Sequence, residues 1–252
     1  MHRKLILIAN DGGEADYLPG VAMDMAHYDR FFRSPQGGLW DNDEHEIMTY
    51  HQSSAEVLHD YIMMTENFHH VDYWMIVFCG HGYLNANHDT VFCMTDGSEV
   101  TLSQLRTWVH YTPTMVIADS CRVLVDAEGD LLQLRESMFT EVRLNEQECK
   151  QIYNRALRLL PSSSFYTGFA TDEGESAGDN AELGGIYSYN LLKCADQIKR
   201  RFHAGMLSNQ ENIASFARVH GLAVPEVRQM RNNQQNPVCS DNTVNIPFVV
   251  VA

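Results

Sequence analysis

Two apolar runs, each carrying a reactive side chain to its carboxyl end, constrain this chain more than anything else in it. Asp72-Tyr73-Trp74-Met75-Ile76-Val77 leads into Phe78-Cys79-Gly80-His81-Gly82, and Thr114-Met115-Val116-Ile117 leads into Ala118-Asp119-Ser120-Cys121. Short continuous apolar runs bounded by turn residues are those of strands buried on both faces, as in a parallel sheet covered by helices. In such sheets ligands and chemistry gather at the carboxyl ends of the strands. If these two strands are neighbours, an imidazole and a thiol face each other across one crevice. That is the least equipment of a cysteine hydrolase: a nucleophile, and a base that activates it or holds it as thiolate.

The segments around them support the same architecture. Leu5 to Ala9 reads as a continuously apolar strand, Val21 to Phe32 as a helix, and Ser34-Pro35-Gln36-Gly37-Gly38 as its break. Glu46 to Tyr50 is a short strand. Ser53 with Glu56 has the spacing of a capping box, followed by Val57, Leu58, Tyr61 and Ile62 on one helical face. Asp89 to Met94 reads as a small hairpin arm. Thr101 is placed to cap a helix through Leu102, Leu105 and Val109. The order β-α-β-α-β-α-β predicts a mostly parallel sheet with right-handed crossovers. From about Val125 to Leu144 the chain is charged and carries no clear strand. Asn145 to Leu160 reads as a helix with Ile152, Ala156, Leu157 and Leu160 on its apolar side, and Asp172 to Ala181 as an acidic loop.

Composition narrows the field further. At 252 residues and 44% hydrophobic content, the chain can build one large α/β domain or two small ones. It has no apolar run of membrane-spanning length. Met1-His2-Arg3-Lys4 precedes only a short apolar stretch ended by Asn10 and Asp11, which fits a buried first strand better than a signal peptide. The six cysteines are scattered without CxxC spacing, so the expectation is neither a disulfide framework nor zinc, but free thiols in a reducing, cytoplasmic setting. A formal net charge of −15 argues against nucleic acid as a partner. It serves solubility, or attracts basic substrate segments.

The chain resembles the caspase-like cysteine peptidases, and its metacaspase and paracaspase branch most closely. The resemblance rests on Gly80-His81-Gly82 and Asp119-Ser120-Cys121. It extends through Leu5 to Asn10, Leu18-Pro19-Gly20-Val21-Ala22-Met23-Asp24, Phe165 to Ala170, Gly185 to Leu192, Gln235-Asn236-Pro237 and Ile246 to Val251. It departs from both consensus forms at Arg122, directly after the cysteine. The resemblance implies a single caspase-like domain over 1–252: a three-layer sandwich with a mostly parallel six-stranded sheet and helices on both faces. Residues 1–125 would form a large-subunit-like part, 126–162 a linker-like region plus helix, and 163–252 a small-subunit-like part.

The resemblance also assigns roles. Cys121 would be the nucleophile and His81 the base. The backbone N–H groups of Gly82 and Cys121 would form the oxyanion hole. No side chain stands out as a third, orienting carboxylate. Asp24 and Asp119 would line an S1 pocket that accepts Arg or Lys, with Cys79 as a small wall residue. A buried cation needs paired carboxylates. On its own, Asp24 is also readable as a helix-start carboxylate. Protein substrates with a basic P1 residue follow, within a regulated cascade of the cell-death or defence type, with an upstream activating protease or regulator as partner. Arg135, Arg143, Lys150, Arg155 and Arg158 are candidate processing sites, those before Asn145 first. No cofactor is expected, except that some metacaspases need calcium, for which Asp89, Asp96, Asp126 and Glu128 are the candidates. Two other classes stay open: a catalytically silent caspase-like scaffold, and a nucleotide-binding α/β domain. The latter lacks G-x-G-x-x-G spacing after its first strand.

Overall fold

The computed structural model describes residues 1–13, 16–42, 47–123, 145–203, 212–240 and 245–251. In chain order the first half contains β1 (Arg3–Asn10), α1 (Val21–Arg33), β2 (Ile47–Tyr50), α2 (Ala55–Phe68) and β3 (Tyr73–Gly80). It continues with β4 (Gly82–Leu84), β5 (Thr90–Cys93), β6 (Glu99–Thr101), α3 (Leu102–Trp108) and β7 (Thr114–Asp119). The second half contains α4 (Glu146–Leu157), β8 (Phe165–Phe169), α5 (Ile186–His203), β9 (Ile213–Ser215), α6 (Phe216–Met230), β10 (Val238–Cys239) and β11 (Pro247–Val250).

Six of these strands make the central sheet, in the order β10-β8-β7-β3-β1-β2. All neighbours are parallel except β10, which pairs antiparallel with the edge of β8. β1 and β3 are buried along their whole length. Their side chains alternate between two cores, as the pleat requires. Leu5, Leu7, Ala9, Tyr73, Met75, Val77, Cys79, Met115 and Ile117 face a core shared with α1, α4, α5 and α6. Ile6, Ile8, Trp74, Ile76, Phe78, Val116 and Ala118 face a core shared with α2 and α3. Each large side chain so buried contributes about 1.5–3 kcal/mol. This parity also fixes the site: odd-numbered residues at the ends of β3 and β7 emerge on the α1/α5 side.

The expected hairpin arm is a three-stranded antiparallel sheet, β4-β5-β6. Thr101 caps α3 through a complete capping box with Gln104. Other expectations need correcting. Ser53 does not cap α2; Ser54 holds that position without a side-chain hydrogen bond. The Ser53 hydroxyl lies 3.2 Å from the Ala9 carbonyl and 2.9 Å from the Thr95 hydroxyl, so long-range partners have taken it. The buried face of α2 is Leu58, Ile62 and Thr65, while Val57 is exposed. On α4 the fully buried side is Cys149, Tyr153 and Leu157, with Ile152, Ala156 and Leu160 packed at its margin. The segment Ile246 to Val251 does form the last strand, β11, but it pairs with β9 in a separate two-stranded sheet, and β10 closes the central one. Residues 125 to 144 of the linker-like region lie outside the described residues, and so do Arg135 and Arg143.

Candidate active site

Register brings the two reactive residues together. β3 and β7 are adjacent and parallel, with Cys79 opposite Asp119. His81 and Cys121 each lie two residues beyond that pair, at the ends of strands that neighbour one another about 4.8 Å apart. Gly80 makes the exit from β3. Its φ is +148°, and a Cβ there would come within 2.3 Å of the Asn10 carbonyl oxygen, so only glycine fits. Gly82 begins β4 pressed against the nucleophile strand: a Cβ would lie 2.9 Å from the Ser120 Oγ. The main chain of Gly82 is therefore beside the segment that carries Cys121.

His81 is oriented by the backbone. Its Nε2 lies 2.6 Å from the main-chain oxygen of Asp16. A carbonyl only accepts, so Nε2 carries the proton and Nδ1 is left with its lone pair. The loop that presents Asp16 is held by its own hydrogen bonds, Asp16 N–H to the Gly13 carbonyl at 3.1 Å and Leu18 N–H to the Asp11 carbonyl at 2.7 Å. The group that does the work of an orienting carboxylate is thus a main-chain atom, which no residue type announces.

Cys121 is half-buried, and its Sγ accepts a hydrogen bond from the Ala177 N–H at 3.3 Å. Burial pushes the thiol up, the Ala177 N–H opposes this, the Asp119 charge adds to it and Arg231 opposes it. The resting thiol is therefore protonated at neutral pH, and a base must take its proton. Burial pushes Cys93 and Cys194 up to about 11 each, as for inert thiols.

Arg122 fastens the nucleophile to the following loop. Its Nε donates to the Thr90 hydroxyl at 3.2 Å, its Nη1 to the Thr171 carbonyl at 3.3 Å, and its Nη2 lies 3.6 Å from Glu173. The guanidinium also lies 4.3 Å above the Phe169 ring. Its main chain is paired both ways, Arg122 N–H to the Glu175 carbonyl and Gly174 N–H to the Arg122 carbonyl.

Below the strand ends sits a group of acids. Asp24 from α1 and Asp119 from β7 are 1% and 6% exposed, and Asp24 lies in the field of the Asp119 charge. The Cys79 thiol lies in the field of both. Burial first, then repulsion from Asp119, holds Asp24 well above the usual carboxylate range, against the pull of the Gly185 N–H. Burial pushes Asp119 up to about 6. Both Asp24 oxygens lie 2.9 Å from the Gly185 N–H, and Asp119 accepts from the Ser188 N–H at 2.8 Å. These donors belong to the start of α5, whose dipole favours negative charge there. Gly185 lies flat on the pair, with no room for a Cβ, which would come within 2.3 Å of Asp119.

A third carboxylate, Asp179, joins them and was not singled out from sequence. It accepts from the Gly20 N–H at 3.0 Å, adds to the repulsion on Asp24 and Asp119, and lies close enough to His81 to be favoured when that imidazole is protonated. Its only sequence signal was membership of the acidic loop.

Of the calcium candidates, Asp89 accepts from the Ser103 N–H at the start of α3, and Asp96 from the Ser98 N–H two residues on. Asp126 and Glu128 lie outside the described residues. Among the described residues no three or more His, Cys, Asp or Glu side chains form a metal-holding group. Of the processing candidates, Lys150 and Arg155 are on α4 and Arg158 caps its end. No helix among the described residues is long and apolar enough to cross a membrane.

A thiol and an imidazole on adjacent ends of a helix-covered parallel sheet, above buried acids, define an α/β protein of the cysteine-peptidase class. The chain belongs to the Peptidase_C14 caspase-domain family, whose match covers residues 2–248, nearly its whole length. No curated protein matches it.

Proposed function

We propose that this chain is a cysteine endopeptidase that cleaves protein substrates after Arg or Lys, with Cys121 as nucleophile and His81 as base. The observation that carries the reading is the buried acid pair Asp24–Asp119 directly behind the strand ends that present the thiol and the imidazole. Two adjacent buried carboxylates suit a guanidinium with its forked donors.

The chemistry follows from the tautomer. His81 Nδ1 takes the Cys121 proton as the sulfur attacks the P1 carbonyl carbon. The carbonyl π pair moves to oxygen, and that oxyanion is held by the N–H groups of Gly82 and Cys121, each worth about 3 kcal/mol of barrier. Collapse breaks the C–N bond, the imidazolium gives its proton to the leaving amine, and water hydrolyses the thioester by the same route. Asp179, whose charge reaches Asp24 and Asp119, adds a third acid to the attraction for a basic side chain. The family's usual setting, a regulated proteolytic cascade, is the setting we propose for this chain.

Hydrolysis of fluorogenic peptides ending in Arg, Lys or Asp tests this, with wild type and Cys121→Ala, each with and without calcium. Cleavage after Arg or Lys that disappears in Cys121→Ala is the expected result. Cleavage after Asp, or activity that survives the substitution, would overturn it.

One observation favours a second reading, a non-cleaving scaffold. The N–H groups of Gly185 and Ser188 already engage Asp24 and Asp119, so the acids serve the start of α5 even with no substrate. Failure of Cys121 to react with an electrophilic Arg peptide would establish that reading.

A further inference from the structure

Ala177, Gly178 and Asp179 are consecutive, and their two outer members touch different parts of the site. The Ala177 N–H reaches the Cys121 sulfur, and the Asp179 carboxylate holds the Gly20 N–H. They lie between β8 and α5, outside any helix or strand. Their placement must come from elsewhere in the fold.

The start of α5 holds one side of the segment, the Ile186 N–H donating to the Gly178 carbonyl at 2.9 Å, and a buried side chain holds the other. Gln235 is 0% exposed, and its Oε1 accepts the Gly178 N–H at 3.0 Å. Its Nε2 donates to the Ala170 carbonyl at 3.0 Å. Ala170 is itself fastened to β7, its N–H on the Ala118 carbonyl at 2.9 Å, next to Asp119. The Gln235 amide therefore ties the loop to the strand that delivers the nucleophile. Asn236 continues the clasp: its main-chain N–H donates to Glu175 at 2.6 Å, and its side-chain amide bonds the same carboxylate.

We propose that Gln235 is a positioning residue for the active site, setting the Ala177 N–H against the Cys121 sulfur and Asp179 against the pocket through the Gly178 main chain between them. A primary amide is the group for this, since it donates and accepts in one plane. Without it the buried Gly178 N–H has no acceptor and the loop must move to find one. A displacement of about 1 Å at reacting groups costs on the order of a hundredfold in rate. The proposal rests on Cys121 being the nucleophile, and its test does not depend on peptide cleavage.

The test is the rate of Cys121 alkylation by iodoacetamide against pH, read by mass spectrometry of the Cys121 peptide, beside the melting temperature and kcat. Gln235→Met keeps the volume and removes both hydrogen bonds. Its alkylation midpoint should rise by about one pH unit, the equivalent of one hydrogen bond to a charged sulfur. Its kcat should fall at least about tenfold on the same grounds. A lower melting temperature with midpoint and kcat unchanged would make Gln235 merely structural and overturn the proposal.

Gln235→Glu decides the matter if the Met variant does not fold. A protonated carboxyl there both accepts and donates as the amide does, and an ionised one cannot donate. The ratio of its Cys121 alkylation rate to that of wild type should stay near one at low pH and fall as pH rises. A flat ratio overturns the proposal. If wild type cleaves no peptide, the function proposed above fails while the alkylation data still decide the part played by Gln235.

Discussion

The imidazole of His81 and the main chain of Asp16 form a 2.6 Å hydrogen bond from Nε2 to the carbonyl oxygen. The Asp16 side chain has no part in it. Asp16→Ala and Asp16→Asn should therefore keep kcat/KM within about threefold, as for surface changes that leave the backbone in place. Gly12→Ala is the opposing case. Gly12 has φ +77°, and a Cβ there would come within 2.3 Å of the Asp16 oxygen and 2.6 Å of His81 Nε2. It should lower kcat by about tenfold or more at a similar KM, because a displaced base is an orientation loss. Steady-state kinetics on one Arg substrate checks both.

Asp119, which we assign to the S1 pocket, has its carboxyl raised to about 6. A cationic P1 side chain binds the ionised form and must expel the proton below that pH. KM for an Arg substrate should therefore rise toward acid, by up to about tenfold per pH unit below 6, and level off above it. An Asp119→Asn variant should show a weaker, flatter pH profile. A KM for Arg substrates that is constant from pH 5 to 8 in wild type would remove Asp119 from the pocket.

The same group bears on stability, with its own sign. Its folded value lies above the unfolded carboxylate value of about 3.9, so the folded chain holds the proton more tightly. That contribution is fully present below about pH 4 and is lost as pH rises through about 6. At neutral pH the buried charge is a burden, and Asp119→Asn should be as stable as wild type or more so, by about 1–2 kcal/mol. It should also lose most activity on Arg substrates. Urea unfolding at pH 4 and pH 7.5, beside kinetics, separates the two effects.

Arg122 joins Thr90, the Thr171 carbonyl, Glu173 and the Phe169 ring from a position 7% exposed. Removing it strands buried acceptors and a ring face. Arg122→Ala should cost about 2–4 kcal/mol of folding stability. Arg122→Lys should recover only part of this, since an ammonium cannot reproduce the fork. Chemical denaturation of both variants checks the order.

The sheet was legible because β1, β3 and β7 are continuous apolar runs, which only a doubly covered strand can use. Parity then carried Cys79 and Asp119 to the face where α1 holds Asp24, so these two acids and one thiol were readable from pattern and family together. What escaped was made of backbone or of distance. The Asp16 carbonyl and the Ala177 N–H have no residue signature. Asp179 was one acid among several in its loop. α6, β9 and β10 have weaker patterns, and α6 runs through Gly221 and Pro225, residues that read as breaks. Ser53 had the right local spacing for a cap, and a tertiary partner, Thr95, outbid the helix for its hydroxyl.

The clasp made by Gln235 has a consequence for the order in which the protein comes into being. His81 and Cys121 leave the ribosome first, the loop bearing Ala177 and Asp179 follows, and Gln235 comes after them all. On the proposal above, a nascent chain can carry both reactive groups with their strands paired and still lack the fastening that aligns them, so competence to react waits for the segment that carries Gln235.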